Sequence, residues 1–335
     1  MKLHLEKTTT AAVNDKLVKL REEGGVVALG RVLTLIISTP KGQEEEAIKA
    51  AKEASREHPM RVIVVAENTQ RSSNRLDAEI RVGADAGASE IVILEVSGEL
   101  INQKASLVTG LILPDAPIVT LWPNETPENA AKSTLGKISQ RRITDSANTV
   151  DPMKTLKDLA ATYADGDTDF AWTRLTHWRE QLVAVFNNFK NPRVESITVK
   201  GATDSPSSYL LAAWLGKDLK QDACLEDSGK GTGVTGVNIT FKDGGVVNMF
   251  RPIGKETAEL TQPGEQKQTL SLPRRNLPDC LAEELRRIDA DEVYGEVLTK
   301  GLSRVKLKHE NTTDKDAAKP ASTAKKTAAK KTTKK

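Results

Sequence analysis

Cysteine is nearly missing from this sequence. Two occur in 335 residues, Cys224 and Cys280, and they form no CxxC pair. That is too few for a disulfide framework or a structural zinc site, so both thiols are expected to stay reduced. Asp222, Glu226 and Asp227 surround Cys224 with negative charge, which is expected to disfavour a redox switch. Long hydrophobic runs are also absent. The longest apolar-rich run, Val32 to Ile37, is far too short to cross a bilayer. The opening residues MKLHLEKTTT lack the apolar core of a secretory signal. The expectation is a cytoplasmic protein with no membrane contact. Aromatic residues are scarce, at 4%. The four histidines, His4, His58, His177 and His309, show no HExxH or paired spacing, which leaves a catalytic imidazole or a zinc site without support.

Catalytic motifs fail one by one. There is no Walker sequence and no GxSxG elbow. GTGVTG, Gly231 to Gly236, has the GxGxxG spacing of a dinucleotide loop. That chemistry needs a strand before the loop and a helix amino terminus after it, so that free amides face a pyrophosphate. Here no strand is read before Gly229 and a β-type run, Val237 to Phe241, comes after, so the segment reads as a flexible glycine loop. Asp165, Asp167 and Asp169 copy the first ligands of an EF-hand. The sixth position is Phe170 rather than glycine, however, and the twelfth is Thr176 rather than glutamate. These aspartates read as helix caps and dipole partners. No cofactor and no metal is expected.

The chain is long enough for two domains, and its 38% hydrophobic and 28% charged residues make a globular composition. The net charge of +3 hides two parts. Lys315 to Lys335 holds eight lysines against one aspartate, so removing its +7 leaves −4 on the rest. The tail has no aromatic or large aliphatic residue and is expected to be disordered. It reads first as a solubility aid, with weak nonspecific polyanion binding as the alternative.

The pattern predicts an α/β fold. An amphipathic helix capped by Thr9 or Thr10 carries Val13, Leu17 and Leu20, and Gly24 and Gly25 end it. Val26 to Thr39 reads as a buried strand, Glu44 to Glu57 as a helix and RVIVVAE as a second buried strand, a right-handed parallel crossover unit. Leu76 to Val82 alternates as a half-exposed strand at an edge. Ile91 to Val96 and Ile118 to Trp122 are further strands, separated by a helix from Leu100 to Leu111. The second half reads as α+β with an antiparallel sheet. It opens with a short helix at Asp151-Pro152, then one long helix after Asp167 or Asp169 carrying Ala171, Leu175, Trp178, Leu182 and Val185. Next come a strand at Val194 to Val199, a helix after Ser205-Pro206, a VNITF/VVNMF hairpin, a strand at Thr269 to Leu272 and a final helical pair. The expected division is 1–150 for an N-terminal α/β domain, 151–308 for a C-terminal α+β domain and 309–335 for the tail.

Five longer strings carry more information than any short motif. They are REEGGVVALGRVLTLII from Arg21, EASREHPMRVIVV from Glu53, QRRITDSA from Gln140, GDTDFAWTRLTHWR from Gly166 and LPRRNLPDCLAEELRRIDADEVY from Leu272. In content and order they resemble the blocks of the OpcA family, over the chain from near its start to about Leu302. The resemblance implies a noncatalytic protein that binds glucose-6-phosphate dehydrogenase and promotes its active oligomer, in the oxidative pentose phosphate pathway. It supplies no catalytic residue. The alternatives are a nucleotide-dependent enzyme, which needs a phosphate-cradling loop, and a nucleic-acid-binding protein working through the lysine tail.

Four residues stand out for a binding role. At 100° per residue, Trp172, Thr176, Arg179 and Val183 form a stripe beside the core stripe of Trp178. Trp and Arg dominate interface hot spots, so Trp172 and Arg179 are expected at a partner surface; the competing reading is a widened buried face and an internal ion pair. Arg141 and Arg142, followed by Asp145, present the same choice, with the internal salt bridge favoured.

Overall fold

The computed structural model describes residues 1–23, 31–83, 86, 89–189 and 193–308. The expected helix stop at Gly24 and Gly25, the start of the Val26 strand, His309 and the lysine tail lie outside the described residues.

Two sheets organise the described residues, and the mixed α/β class is as expected. The first has eight strands: β1 (Lys2–Leu5), β2 (Leu33–Pro40), β3 (Met60–Asn68), β4 (Arg75–Arg81), β5 (Glu90–Ser97), β6 (Ile118–Trp122), β7 (Arg141–Thr144) and β8 (Asp167–Asp169). Their order is β1-β4-β5-β3-β2-β6-β7-β8. The strands from β5 through β8 in that order pair in parallel, while β4 runs antiparallel to β5 and to β1. The edge expected at Leu76 to Val82 is therefore one strand further out, because MKLHL adds β1 beside β4.

Helices cover both faces of this sheet because its central strands are apolar on both sides. Leu35, Ile37, Val62 and Val64 face α2 (Glu44–Ala54) and α8 (Leu277–Leu285). Ile36, Ile63 and Val65 face the other way, with Val13 and Leu17 of α1 (Thr10–Glu23). Thr9 starts α1, its Oγ1 accepting from the Ala12 amide at 3.3 Å. The helix expected from Leu100 to Leu111 is a 3-10 segment, Gly98–Gln103, followed by α3 (Lys104–Thr109).

The second sheet has seven strands: β9 (Val194–Gly201), β10 (Ala223–Asp227), β11 (Val234–Phe241), β12 (Val246–Phe250), β13 (Thr257–Thr261), β14 (Gln268–Ser271) and β15 (Val305–Leu307). The order is β14-β13-β12-β11-β9-β10-β15. It is mixed rather than antiparallel throughout, since β9, β10 and β15 pair in parallel. One face holds the core and is covered by α4 (Pro152–Thr162), α5 (Phe170–Thr173), α6 (Thr176–Phe186), α7 (Pro206–Asp218), α9 (Glu292–Glu296) and a π-helical turn, Val297–Gly301. The other face is open, and Lys200, Asn248 and Phe250 are exposed.

The boundary drawn at residue 150 does not separate the two sheets. β8 lies beyond it yet completes the first sheet beside β7. From much later in the chain, α8 returns to the first core through Cys280, Leu281 and Leu285. The single long helix after Asp169 is also two helices. Backbone bonding there shortens to three residues, Leu175 N–H to Trp172 O at 2.9 Å, and the axis breaks between α5 and α6.

Candidate functional site

The four residues singled out in the sequence sit where the two cores meet. Trp172, on α5, is 1% exposed, and its Nε1 donates to Asp291 Oδ2 at 2.8 Å. Its ring centroid lies 6.1 Å from that of the buried Tyr294. Trp172 is thus buried rather than exposed, because the break before α6 rotates it out of the assumed helical wheel, while Val183 of the same stripe is 46% exposed. Arg179 keeps partial exposure. Its guanidinium carbon lies 3.8 Å from the Trp172 ring centroid, and Nη2 donates to Thr176 Oγ1 at 3.2 Å. Burial lowers its pKa, with Asp291, Glu283 and Glu284 opposing the shift.

Arg141 and Arg142 are 4% and 7% exposed and serve inside the protein. The Arg141 guanidinium donates to Glu284 and to the carbonyl of Asp289 at 2.5 Å. Glu284 also accepts from Thr173 Oγ1 at 2.5 Å and Thr168 Oγ1 at 3.3 Å, tying β7, β8 and α5 to α8. Arg142 Nε donates to Asp167 Oδ1 at 2.5 Å, and its other nitrogens hold the carbonyls of Ser139 and Asp165. Of the two readings weighed for Arg141 and Arg142, both side chains take the internal salt bridge.

The aspartate cluster serves the backbone. Asp169 caps α5 by accepting from the Ala171 amide at 2.8 Å and from Ser146, amide and hydroxyl, at 2.9 and 2.8 Å. Burial, with the charge of Asp145 adding to it, pushes its pKa up to about 6. Asp167, expected as a cap, is instead a β8 residue paired with Arg142. No group of three or more His, Cys, Asp or Glu residues suited to a metal occurs among the described residues.

Open α/β sheets bind ligands beyond the carboxyl ends of their strands, where the winding order reverses. In this sheet that point lies between β2 and β6. The helix after β2 begins with Glu44, Glu45 and Glu46, whose charges favour its positive end and repel a phosphate there. Burial also pushes the Cys280 thiol up to about 12, far from a reactive thiolate. Cys224 lies on β10, and both cysteines are free.

A cavity of about 420 Å³ lies between the α5–α6 junction, the start of α7 and the glycine loop before β11. Arg174, Arg251, Arg274 and Arg275 line it, with Trp178, Gly231 and Gly233. The loop is not a dinucleotide loop, although the reading that no strand precedes it needs correction: β10 ends at Asp227, just before Gly229. On its far side the loop leads into strand β11 instead of a helix. Sequence reasoning missed this convergence, because the four arginines come from three separate stretches of chain.

Residues 51–161 match the family model described as glucose-6-phosphate dehydrogenase subunit N-terminal domain, and residues 165–298 match the one described as its C-terminal domain. The chain belongs to the OpcA glucose-6-phosphate dehydrogenase assembly family. The two family units divide between α4 and β8, so the C-terminal unit supplies the last strand of the first sheet and α8 of its core. Comparison with curated proteins gives no match. One solved structure, described as "Trehalose-6-phosphate from E. coli bound with UDP-2-fluoro glucose", is 8% identical over 58% of this chain and 64% of that one, with a TM-score of 0.26. So weak a likeness carries no argument. No described helix is long and apolar enough to cross a membrane.

Proposed function

We propose that this protein binds glucose-6-phosphate dehydrogenase and promotes assembly, or retention, of the enzyme's active oligomer, without catalysing a reaction itself. The observation that carries this reading is the pair of family matches, in order, across residues 51–161 and 165–298. The chemistry of the described residues is consistent with it. The buried ionic groups, Arg141 with Glu284 and Arg142 with Asp167, are engaged in joining elements, which is structural work. On this reading the protein acts in the oxidative pentose phosphate pathway, in the cytoplasm, as an allosteric activator. Activation by binding requires higher affinity for the active oligomer than for the other forms, and the population shifts by that difference.

Of the four candidate residues, Arg179 retains exposure, and we assign it the contact. Trp172 then works from behind it, its ring supporting the guanidinium from one side. Light scattering on an equimolar mixture with the cognate dehydrogenase tests the reading. A heavier species containing both chains is expected; two separate species at micromolar concentration would contradict it.

A further inference from the structure

The cavity at the start of α7 carries more positive charge than the carboxylates among the described residues pair with. Arg174 is matched by Asp145, with two bonds of 2.6 and 2.7 Å, and Arg275 is matched by Glu283. Arg251 and Arg274 have no carboxylate partner among the described residues. Arg251 is 6% exposed, and its two terminal nitrogens donate to the carbonyls of Leu272 and Val234, each at 2.9 Å. Its guanidinium carbon lies 5.3 Å from the centroid of the Trp178 ring. Two carbonyl dipoles and a ring face are a weak counter-charge for a buried cation, and such a charge is costly until an anion accompanies it. Burial, together with the neighbouring Arg274, pushes its pKa down to about 10. Arg274 donates to the Thr232 carbonyl in the glycine loop and otherwise stands exposed at the rim.

The backbone around these arginines has the same character. Ser205 caps α7 without a side-chain bond, and Pro206 comes next, so the positive end of a 13-residue helix reaches the cavity with no acidic residue in its first turn. Gly231 and Gly233 have φ of +72° and +62°, a conformation that leaves their backbone bare at the lining; a side chain at 233 would come within 3.6 Å of Arg274 Nη1. Among the described residues, Asp204 is the one carboxylate in the lining. The two sheets therefore differ at their helix ends: glutamates guard the start of α2 on the first, whereas the start of α7 on the second is left open.

We propose that this cavity is a binding site for a small phosphorylated molecule, its phosphate held between Arg251 and Arg274 at the start of α7. A dianion matches two uncompensated guanidiniums, and the volume exceeds what a phosphate alone needs, leaving space for a body of sugar size over Trp178. Because the lining comes from residues 147–178 on one side and 204–275 on the other, an occupant clamps the α5–α6 junction to the second sheet. The proposal does not depend on the dehydrogenase reading, and its test omits that enzyme.

Isothermal titration of the full chain with inorganic phosphate, and separately with glucose 6-phosphate, tests it. Saturable binding of at least one is expected, and the tighter of the two identifies whether the free anion or the ester is the ligand. Arg274→Ala, at the exposed rim, should weaken that binding about tenfold or more. Arg251→Lys keeps the charge but loses the paired geometry and should also weaken it. Should Arg251→Lys fail to fold, Arg274→Ala decides alone. Absence of binding by both probes at millimolar concentration would overturn the proposal. So would binding untouched by Arg274→Ala, or binding that acetate displaces as readily as phosphate does.

Discussion

The guanidinium of Arg179 lies 3.8 Å from the ring centroid of Trp172, which is itself 1% exposed and anchored through its indole N–H to Asp291. The partly exposed cation thus rests on a buried aromatic, and the two residues answer differently to mutation. Trp172→Ala should destabilise the fold by about 3–5 kcal/mol through lost burial and a cavity. Arg179→Ala should unfold almost as the wild type does but raise the dissociation constant for the dehydrogenase about tenfold or more. Urea unfolding and a binding titration on both variants separate the effects. Normal binding by a folded Arg179→Ala would remove Arg179 from the contact surface.

Arg141→Ala should cost about 3–5 kcal/mol, because it leaves Glu284 buried without its cation. Thr168 and Thr173 still donate to that carboxylate, but two neutral hydroxyls do not replace the lost charge. Urea unfolding measures the loss, and a change below about 1 kcal/mol would show that the pair does not hold β7 to α8.

The arginine and aspartate strands explain why part of the first sheet is hard to read from sequence. Strands β2, β3, β5 and β6 are runs of Val, Ile and Leu buried on both faces, and composition marks them. β7 is RRIT and β8 is DTD, fully buried although polar. No hydrophobic period marks such strands. Their charges are matched by residues as distant as Glu284, 143 positions from Arg141, so only the folded chain shows why they can be inside. Trp172 departs from its expected exposure for a related reason: a helical wheel assumes one axis, and the chain breaks its axis between α5 and α6. The cavity is not legible in the sequence, because Arg174, Arg251, Arg274 and the glycine loop at Gly231 come from separate stretches of chain that only the fold brings together.

Asp169 should give stability a distinct pH dependence. Its folded pKa of about 6 lies above the ordinary 3.8, so the folded protein holds a proton that the unfolded chain releases between those values. The stabilisation is fully present below about pH 4 and is lost as pH rises through about 6, on the order of 3 kcal/mol. Asp169→Asn removes this dependence. The stability of wild type minus that of the variant should therefore fall across this window and level off above it. Urea unfolding at several pH values checks the sign, and a difference that is flat or rises with pH would contradict it.

Truncation after Lys308 should leave activation intact. Lys308 itself still donates its amide to Leu225 O at 2.9 Å, so β15 keeps its closing bond. The residues removed carry eight lysines and no large apolar side chain, and they are assigned to solubility or weak polyanion contact. A truncated protein that folds but no longer activates the dehydrogenase would move the tail into the mechanism.

Activation itself is tested most directly by steady-state turnover of glucose-6-phosphate dehydrogenase with and without this protein, each purified alone and then mixed. The isolated protein should neither reduce a nicotinamide cofactor nor transfer phosphate, and the mixture should turn over faster than the dehydrogenase by itself, saturating with added protein. Turnover by the isolated chain, or a dehydrogenase rate indifferent to its addition, would contradict the assignment.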